Sequence, residues 1–306
     1  MRVFVTGASG HIGSAVVAEL VSARHHVVGL ARSEQSAQKV AAAGAQALRG
    51  DLDDLDGLRA AVAAADGVIH LGYKHDLAFS GAPGAFEQAA EHDVRVVKAI
   101  GEALAGSSKP FVSTSGTAQL ALFGRITRTG TEADVVAGGP RVDGENATIE
   151  LGERGVRTSV IRLPPTVHSS LDHHGFVPMF VAAARKNGFS AYVGDGVNVW
   201  PAVHTLDAAR LYRLALESAP AGTRLHGVAD EGVPFRAIAE AIARGAGVPA
   251  RSVTAADAPK YLGGMAMFAQ VHNPTSSART RSLLSWQPAH PGLLADLADR
   301  HYFADR

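Results

Sequence analysis

The chain has 306 residues, of which 46% are hydrophobic and 19% are charged, and its 29 basic and 29 acidic side chains leave no net charge. This length suits one large domain or two closely joined lobes, and the balanced charge gives no electrostatic reason to bind nucleic acid. There is no cysteine, which excludes disulfides, thiolate catalysis and cysteine metal sites. No stretch approaches the roughly 20 apolar residues of a membrane span, so the sequence predicts a cytoplasmic protein without membrane contacts.

Short β-branched runs alternate with longer alanine-rich helical runs in the first half of the chain. The predicted strands are Val3–Thr6, Val27–Leu30, Ala45–Arg49, Val68–Leu71 and Phe111–Ser113, and the predicted helices are Ile12–Ala23, Ser33–Ala43, Leu55–Ala65 and Phe86–Ala105. Nearly continuous apolar strands indicate burial on both faces, as in a parallel sheet. The repeated strand–helix–strand units therefore predict an α/β fold with a doubly wound parallel sheet of the Rossmann type.

The second half begins with a predicted helix near Asp143–Arg154 and a strand over Arg157–Leu163, which ends at Pro164 because proline cannot continue a ladder. The chain then becomes richer in Gly, Pro and His. The last predicted elements of the sheet region are Trp200–Leu206, the helix Asp207–Ser218 and the strand Arg224–Val228. We therefore predict a dinucleotide-binding domain over residues 1–163, completed by residues 197–229, and a substrate-binding lobe built from residues 164–196 and 230–306.

A glycine-rich turn, Thr6-Gly7-Ala8-Ser9-Gly10-His11-Ile12-Gly13, follows the first strand and opens a helix. Gly7 permits a tight turn, Gly10 lets the backbone approach a pyrophosphate, and Gly13 lets the helix pack closely on the strand. The free N–H groups and the positive dipole end of the helix favour phosphate. This pattern predicts a nicotinamide dinucleotide held by Gly7, Ser9, Gly10, His11, Ile12 and Gly13.

The end of the second strand decides which dinucleotide is favoured. A fold that prefers NAD usually places an acid there for the ribose 2′-hydroxyl, whereas this chain has Ala31-Arg32-Ser33. The planar, charged guanidinium of Arg32 suits a 2′-phosphate, with the Ser33 hydroxyl as a second donor. The prediction is NADP, with NAD as the alternative if Arg32 is only a solvated surface residue.

These residues resemble the extended and atypical short-chain dehydrogenase/reductases, up to about residue 230. The similar segments are Thr6–Gly13, Gly50-Asp51-Leu52, Val68–Gly72, Phe111–Ser115, Val193-Gly194-Asp195-Gly196 and Val203–Asp207. The resemblance implies a Rossmann fold, further cofactor contacts from Asp51, Leu52, Leu71, Gly72, Ser113 and Pro164, and a homodimer formed through two helices.

The resemblance also locates the reaction centre and a departure from the family pattern. Ser115 matches the serine that hydrogen-bonds the reacting group, with Ser113 and Thr114 as alternatives. The family's Tyr-x-x-x-Lys pair is replaced by Arg141 and Glu145. Arginine cannot cycle a proton, and glutamate cannot do the work of lysine. The alternative to a functional role is an i, i+4 salt bridge between these two residues on the surface of a helix.

The missing proton donor has two candidate sources. Tyr73-Lys74-His75 follow the fourth strand, whose carboxyl end faces the crevice of a doubly wound sheet, although the segment could also be an exposed polar loop. The second source is a cluster of His168 with His173-His174, which could be acids, substrate ligands or metal ligands, although their spacing does not suit a metal site. The predicted substrate contacts are Thr166, His168, His174 and Tyr261. The stretch around Tyr261 fits either a lid or plain core, and the sequence favours core.

Three functions remain open from the sequence. The first is NADPH-dependent reduction of a small carbonyl compound, with Ser115 polarising it and a noncanonical residue or water giving the proton. The second is cofactor-dependent epimerisation or dehydration of a sugar-like substrate. The third is a protein that binds NADP without turning it over, as a sensor or scaffold.

Overall fold

Strands and helices alternate along residues 1–304, the part of the chain that this computed structural model describes. The strands are β1 Arg2–Thr6, β2 His26–Ala31, β3 Gln46–Arg49, β4 Gly67–His70, β5 Pro110–Gly116, β6 Arg157–Leu163, β7 Thr166–His168, β8 Ser190–Val193, β9 Val199–His204, β10 Thr223–His226, β11 Asp230–Pro234 and β12 Ala250–Val253. The helices are α1 His11–Ser22, α2 Glu34–Ala42, α3 Leu55–Ala63, α4 His75–Ala78, α5 Ala85–Leu104, α6 Ala118–Leu122, α7 Val142–Glu150, α8 Phe176–Asn187, α9 Thr205–Ser218, α10 Phe235–Ala246, α11 Ala258–Leu262, α12 Ala278–Leu284 and α13 Leu293–Ala298.

Seven strands form the central sheet in the order β10-β6-β5-β4-β1-β2-β3, and all of their pairings are parallel. This confirms the predicted α/β fold with a doubly wound sheet. The strand order reverses beside β1, because β1 pairs with β2 on one side and with β4 on the other. In such sheets the crevice for a ligand lies outside the carboxyl ends of the strands at that reversal.

The two faces of the sheet are covered by separate hydrophobic cores. Val3 and Val5 of β1 are buried in a core with residues of α1 and α9, whereas Phe4 enters the core with residues of α3 and α5. Successive side chains of a strand point to opposite faces, so one apolar strand serves both cores. This double burial fixes the carboxyl ends of β1, β4 and β5, where the candidate site lies.

The segment around Trp200 differs from the prediction that it returns to the central sheet. Of the predicted elements there, β10 does pair with β6, but β9 lies in a separate three-stranded sheet between β11 and β7. Trp200 packs on Phe180 and Phe235, with ring centroids 5.8 and 5.1 Å away. Its burial in this second core explains why β9 belongs to the smaller lobe.

Candidate active site

The glycine-rich turn has the close backbone approach that a phosphate cradle needs. Gly7 has a φ of +68°, and a Cβ added to it would lie 2.8 Å from the Gly72 nitrogen. A Cβ on Gly13 would run into the Gly7 carbonyl oxygen. Helix α1 starts after Gly10 without a side-chain cap on its first N–H groups. The residues present therefore fit the pyrophosphate of a dinucleotide, since the cradle has no room for side chains and offers donors at its open end.

The side chain of His11 is turned from the cradle toward α9. Its Nε2 lies 2.7 Å from the Thr205 hydroxyl. Burial and neighbouring histidines lower the pKa of His11 to about 4, so the ring is neutral at pH 7. Of the turn residues, His11 thus leaves only its backbone for a phosphate, as Ile12 does, while Ser9 is half-buried on the turn.

Just after the carboxyl end of β2, the Arg32 side chain is available for a ligand, whereas Ser33 is already used. The Arg32 side chain is 72% exposed and pairs with Asp76 at 3.0 Å, a contact that is weak at a surface. The Ser33 hydroxyl accepts from the Ser36 backbone nitrogen and caps α2. Asp51 accepts from the Asp53 nitrogen at 3.0 Å. The predicted second donor for a 2′-phosphate is therefore part of a helix cap.

Strand β5 separates its three hydroxyl side chains by the alternation of a strand. Ser113 faces α7 and donates to the Thr148 hydroxyl at 2.9 Å. Thr114 faces the other side, where its hydroxyl lies 2.8 Å from that of Tyr212. Ser115 is buried, and its Oγ makes no well-formed hydrogen bond within residues 1–304, although it lies near enough to Glu145 to help lower the pKa of that carboxyl. Ser115 is thus the hydroxyl left available.

The sequence alternative of an i, i+4 pair between Arg141 and Glu145 is wrong. Arg141 precedes α7 with a φ of +68° and donates to Asp93 at 3.1 Å and to the Thr114 carbonyl at 3.0 Å. Glu145 accepts from Arg162 at 3.0 Å and from Arg224 at 2.7 Å. Both residues are therefore used in separate tertiary ion pairs.

Glu145 is held as a carboxylate inside the protein. Burial opposes its charge, but hydrogen bonds from Arg162 and Arg224 outweigh this effect and lower the pKa of Glu145 below its ordinary value. All three side chains are largely buried. The residue at the family's lysine position therefore ties α7 to β6 and β10 and does not exchange protons at neutral pH.

Tyr73 lies directly beneath the guanidinium of Arg141. The guanidinium carbon is 4.1 Å from the centre of the ring, within the range of a cation–π contact. The Tyr73 hydroxyl is buried and has no hydrogen-bond partner among residues 1–304. Burial raises the pKa of Tyr73 to about 12, while the positive charge of Arg141 acts in the opposite direction. Tyr73 is therefore a protonated phenol beside a fixed cation.

Tyr73, Lys74 and His75 do not act as one group. The Lys74 ammonium lies 2.6 and 2.7 Å from the two carboxylate oxygens of Asp53, which also accepts from His92 at 2.8 Å. The imidazole of His75 packs edge-on against Tyr73 with ring centroids 5.0 Å apart. The tyrosine, and with it the imidazole, lies by Arg141, whereas the lysine is engaged elsewhere.

Sequence reasoning missed the residues that hold Arg141. Asp93 of α5 binds Arg141 through one oxygen and His70 through the other, and the second ring nitrogen of His70 lies 2.6 Å from the Thr6 hydroxyl. That hydroxyl also accepts from the Gly72 nitrogen. A buried chain of hydrogen bonds thus joins the glycine-rich turn to Arg141. The sequence did carry one signal for them. Asp93 lies three residues before Val96 and four before Val97, which places an acid on the apolar face of a helix.

The predicted substrate contacts of the second lobe are placed apart from this cluster. His168 is fully buried, with Nδ1 2.9 Å from an Asp296 oxygen, so it does not line an open pocket. Tyr261 packs on Phe189 in the core of the lobe at 5.0 Å, which favours the core interpretation over the lid. Thr166 is buried in β7, and His174 is exposed. Within residues 1–304, none of the four is in contact with Tyr73.

The part of the chain from residue 1 to residue 304 has neither a metal cluster nor a membrane-spanning helix. No group of three or more His, Asp or Glu side chains in this part of the chain is arranged to hold a metal ion. None of its helices has the length and apolarity needed to cross a membrane.

Two relatives of the chain differ in how similar they are to it. It is 46% identical to an uncharacterized protein of Schizosaccharomyces pombe over 305 residues, covering 99% of this chain and all of that protein. It is 27% identical to 4-hydroxy-2-methyl-3-oxo-4-farnesyl-3,4-dihydroquinoline-1-oxide ketoreductase of Stigmatella aurantiaca, over 72% of this chain and 66% of that enzyme.

The solved structures it resembles share its fold. One is a double mutant of the dTDP-glucose 4,6-dehydratase DesIV of Streptomyces venezuelae with NAD bound, at a TM-score of 0.75 and 19% identity, covering 99% of this chain and 96% of that one. The model of the NAD-dependent epimerase/dehydratase family matches residues 3–226. The glycine cradle, the strand order and this match agree, and the chain belongs to the NAD-dependent epimerase/dehydratase family, with the fold of extended short-chain dehydrogenase/reductases.

Proposed function

We propose that this protein is an NADPH-dependent reductase of a small carbonyl compound, in which Tyr73 beside Arg141 gives the proton. The observation that carries the proposal is the buried Tyr73 phenol, which has no hydrogen-bond partner among residues 1–304 and lies 4.1 Å below a guanidinium. Arg141 also binds the carbonyl of Thr114, the neighbour of Ser115. The Tyr73 phenol and the Ser115 hydroxyl thus lie at the carboxyl ends of β4 and β5, and the Arg141 guanidinium is bound to the backbone beside Ser115.

These side chains have separate parts in the reaction. The nicotinamide, when bound, supplies a hydride to the carbonyl carbon. Ser115 donates a hydrogen bond to the carbonyl oxygen and holds it in place. Tyr73 donates its proton to that oxygen as negative charge builds there, and the O–H bond of tyrosine is replaced by the O–H bond of the alcohol. The charge of Arg141 stabilises the tyrosinate until it takes a proton from water.

A second candidate function is epimerisation or dehydration of a nucleotide-linked sugar. Its support is the likeness in fold to the DesIV dehydratase and to MoeE5 in complex with UDP-glucose and NAD. The distant similarity to a ketoreductase favours reduction instead. A protein that only binds NADP would not need a buried phenol and serine hydroxyl at the crevice.

An assay of NADPH consumption separates these functions. Purified protein is incubated with NADPH and a panel of aldehydes, ketones, imines and quinones, and in parallel with NAD and UDP- or dTDP-glucose. We expect NADPH oxidation with members of the carbonyl panel and no conversion of the nucleotide sugars. Tight NADPH binding without any turnover would contradict the reductase, and conversion of a nucleotide sugar would support the second candidate.

We also propose NADP over NAD as the cofactor, because Arg32 is exposed at the end of β2. Arg32→Ala is expected to weaken NADPH binding about 10-fold through the loss of a charge-assisted contact, with NADH binding unchanged. Isothermal titration with both cofactors measures this. Arg236→Ala is the matched control, since Arg236 is also an exposed arginine in an ion pair, with Glu240. Equal affinity for NAD and NADP, both unaffected by Arg32→Ala, would refute the preference.

A further inference from the structure

Two exposed aromatic side chains border the candidate active site. Among residues 1–304, Phe79 and Phe123 are the exposed aromatic residues, with 52% and 39% of their surfaces accessible. Single apolar residues on a surface need no explanation. These two differ because Phe79 is joined to Tyr73 through the ring of His75, and Phe123 packs on Gly139 in the segment that leads to Arg141.

Phe79 is the outer part of a strip of rings that begins at Tyr73. The edge of His75 packs on Tyr73, and His75 stacks on Phe79 at 6.2 Å with only 4° between the ring planes. Phe86 lies 6.5 Å from Phe79 on the other side. This strip, Tyr73–His75–Phe79–Phe86, connects the ring that carries the buried phenol hydroxyl with Phe79, the ring that is open to solvent.

Phe123 lies beyond the end of the neighbouring strand, β5. It follows α6, the short helix after Ser115 and β5. Its ring covers Gly139, where an added Cβ would lie 3.0 Å from the ring. Gly139 is two residues before Arg141 in the chain, so Phe123 packs on the segment that carries the guanidinium.

The buried polar groups left for a ligand are few and neutral. Within the described residues, the buried oxygens without hydrogen-bond partners at this end of the sheet are those of Tyr73, Ser115 and Gln119. The two cations beside Tyr73 are engaged, Lys74 with Asp53 and Arg141 with Asp93. A diphosphate is normally bound by charged donors, whereas this set suits one carbonyl oxygen on an otherwise apolar molecule.

We propose that the substrate of the reductase is a carbonyl compound whose reducible group is attached to a flat, apolar ring, and that the ring lies against Phe79 and Phe123. This inference rests on the proposed function, which supplies the reaction, and adds the substrate class. Stacked and edge-on contacts favour a planar ring over a saturated one of equal size. The saturated ring buries similar area, so the change that a leucine variant makes in the ratio of the two KM values reports the aromatic contact.

The test compares acetophenone with cyclohexyl methyl ketone, which have the same number of carbons, in the wild type and in Phe79→Leu and Phe123→Leu. Each variant is expected to raise KM for acetophenone about three- to tenfold, with little change in kcat and less change for the saturated ketone. The dissociation constant of 1-phenylethanol for the NADP-bound protein, from calorimetry, should rise by a similar factor. Met267→Ala, an exposed apolar residue of the other lobe, is the control.

The outcomes separate this inference from the function on which it rests. If the wild type reduces no carbonyl compound, the proposed function fails. If the wild type reduces carbonyls but prefers the saturated ketone, the substrate class is wrong and the reductase remains. The same conclusion follows if the two leucine variants raise KM for both ketones and Met267→Ala also raises KM for both. A preference for acetophenone that both leucine variants reduce supports the inference.

Discussion

Tyr73→Phe is expected to lower kcat for carbonyl reduction by about 10²–10⁴-fold, the range of a lost general acid, while NADPH affinity stays within about twofold. The substitution removes only the hydroxyl, and the ring remains under Arg141. Tyr212 is a second buried phenol that feels the charge of Arg141, but its hydroxyl is already hydrogen-bonded to that of Thr114 on the opposite face of β5. Steady-state rates together with cofactor titration measure both quantities.

Tyr192→Phe is the matched control for this substitution. Tyr192 also lies by a guanidinium, that of Arg236 at 5.5 Å, but in the smaller lobe. We expect the loss of the Tyr192 hydroxyl to leave kcat unchanged. Ser115→Ala should lower kcat as well, because the carbonyl oxygen loses a donor. A Tyr73→Phe protein as fast as the wild type would show that the proton comes from another group.

Glu145→Gln is expected to lower the free energy of unfolding by about 3–5 kcal/mol, the usual effect of removing one partner from a buried ion pair. The amide keeps the shape of the side chain but leaves the buried Arg162 without a counter-charge. Urea unfolding measures the change. Glu150→Gln, at an exposed position of the same helix, is the control and should change stability by less than about 0.5 kcal/mol.

The same variant has a defined dependence on pH. Because the pKa of Glu145 is lower in the folded protein than its ordinary value of 4.5, the carboxylate stabilises the fold above pH 4.5, and this contribution is lost as the pH falls toward the folded-state pKa. The stability difference between wild type and Glu145→Gln should therefore be constant near neutral pH and shrink below pH 4.5. A difference that stays constant into acid would mean that folding does not lower the pKa of Glu145.

The sheet was predictable because its signals are local. The apolar strands, the glycine turn and the helix after it each lie within about 20 residues, and strands β1 to β6 appear at the predicted positions with ends shifted by a few residues. The exception is β9, whose run around Trp200 reads as a sheet strand. Its partners are decided by packing on Phe180 and Phe235, and nothing near Trp200 in the sequence specifies that choice.

The site was only partly predictable because its decisive contacts are distant in sequence. Ser115, which the family resemblance indicated, lies at the carboxyl end of β5, and Tyr73 follows β4, a position that predicts a place at the crevice. The partner of Arg141 is 48 residues away at Asp93, and Glu145 binds Arg224, 79 residues away. Helical spacing predicted the nearer pairing of Arg141 with Glu145. The tertiary fold instead gives each of the two residues a partner that is distant in sequence.

The central claim is that Tyr73 and Arg141 take the place of the family's tyrosine and lysine, and a crystal structure of the complex with NADP and a ketone tests it most directly. The measured quantities are the distances from the ketone oxygen to the Tyr73 and Ser115 hydroxyl oxygens. We predict both to be about 2.6–3.2 Å, within hydrogen-bond reach. A ketone oxygen bound by other groups, with the Tyr73 hydroxyl still lacking a partner, would contradict the account.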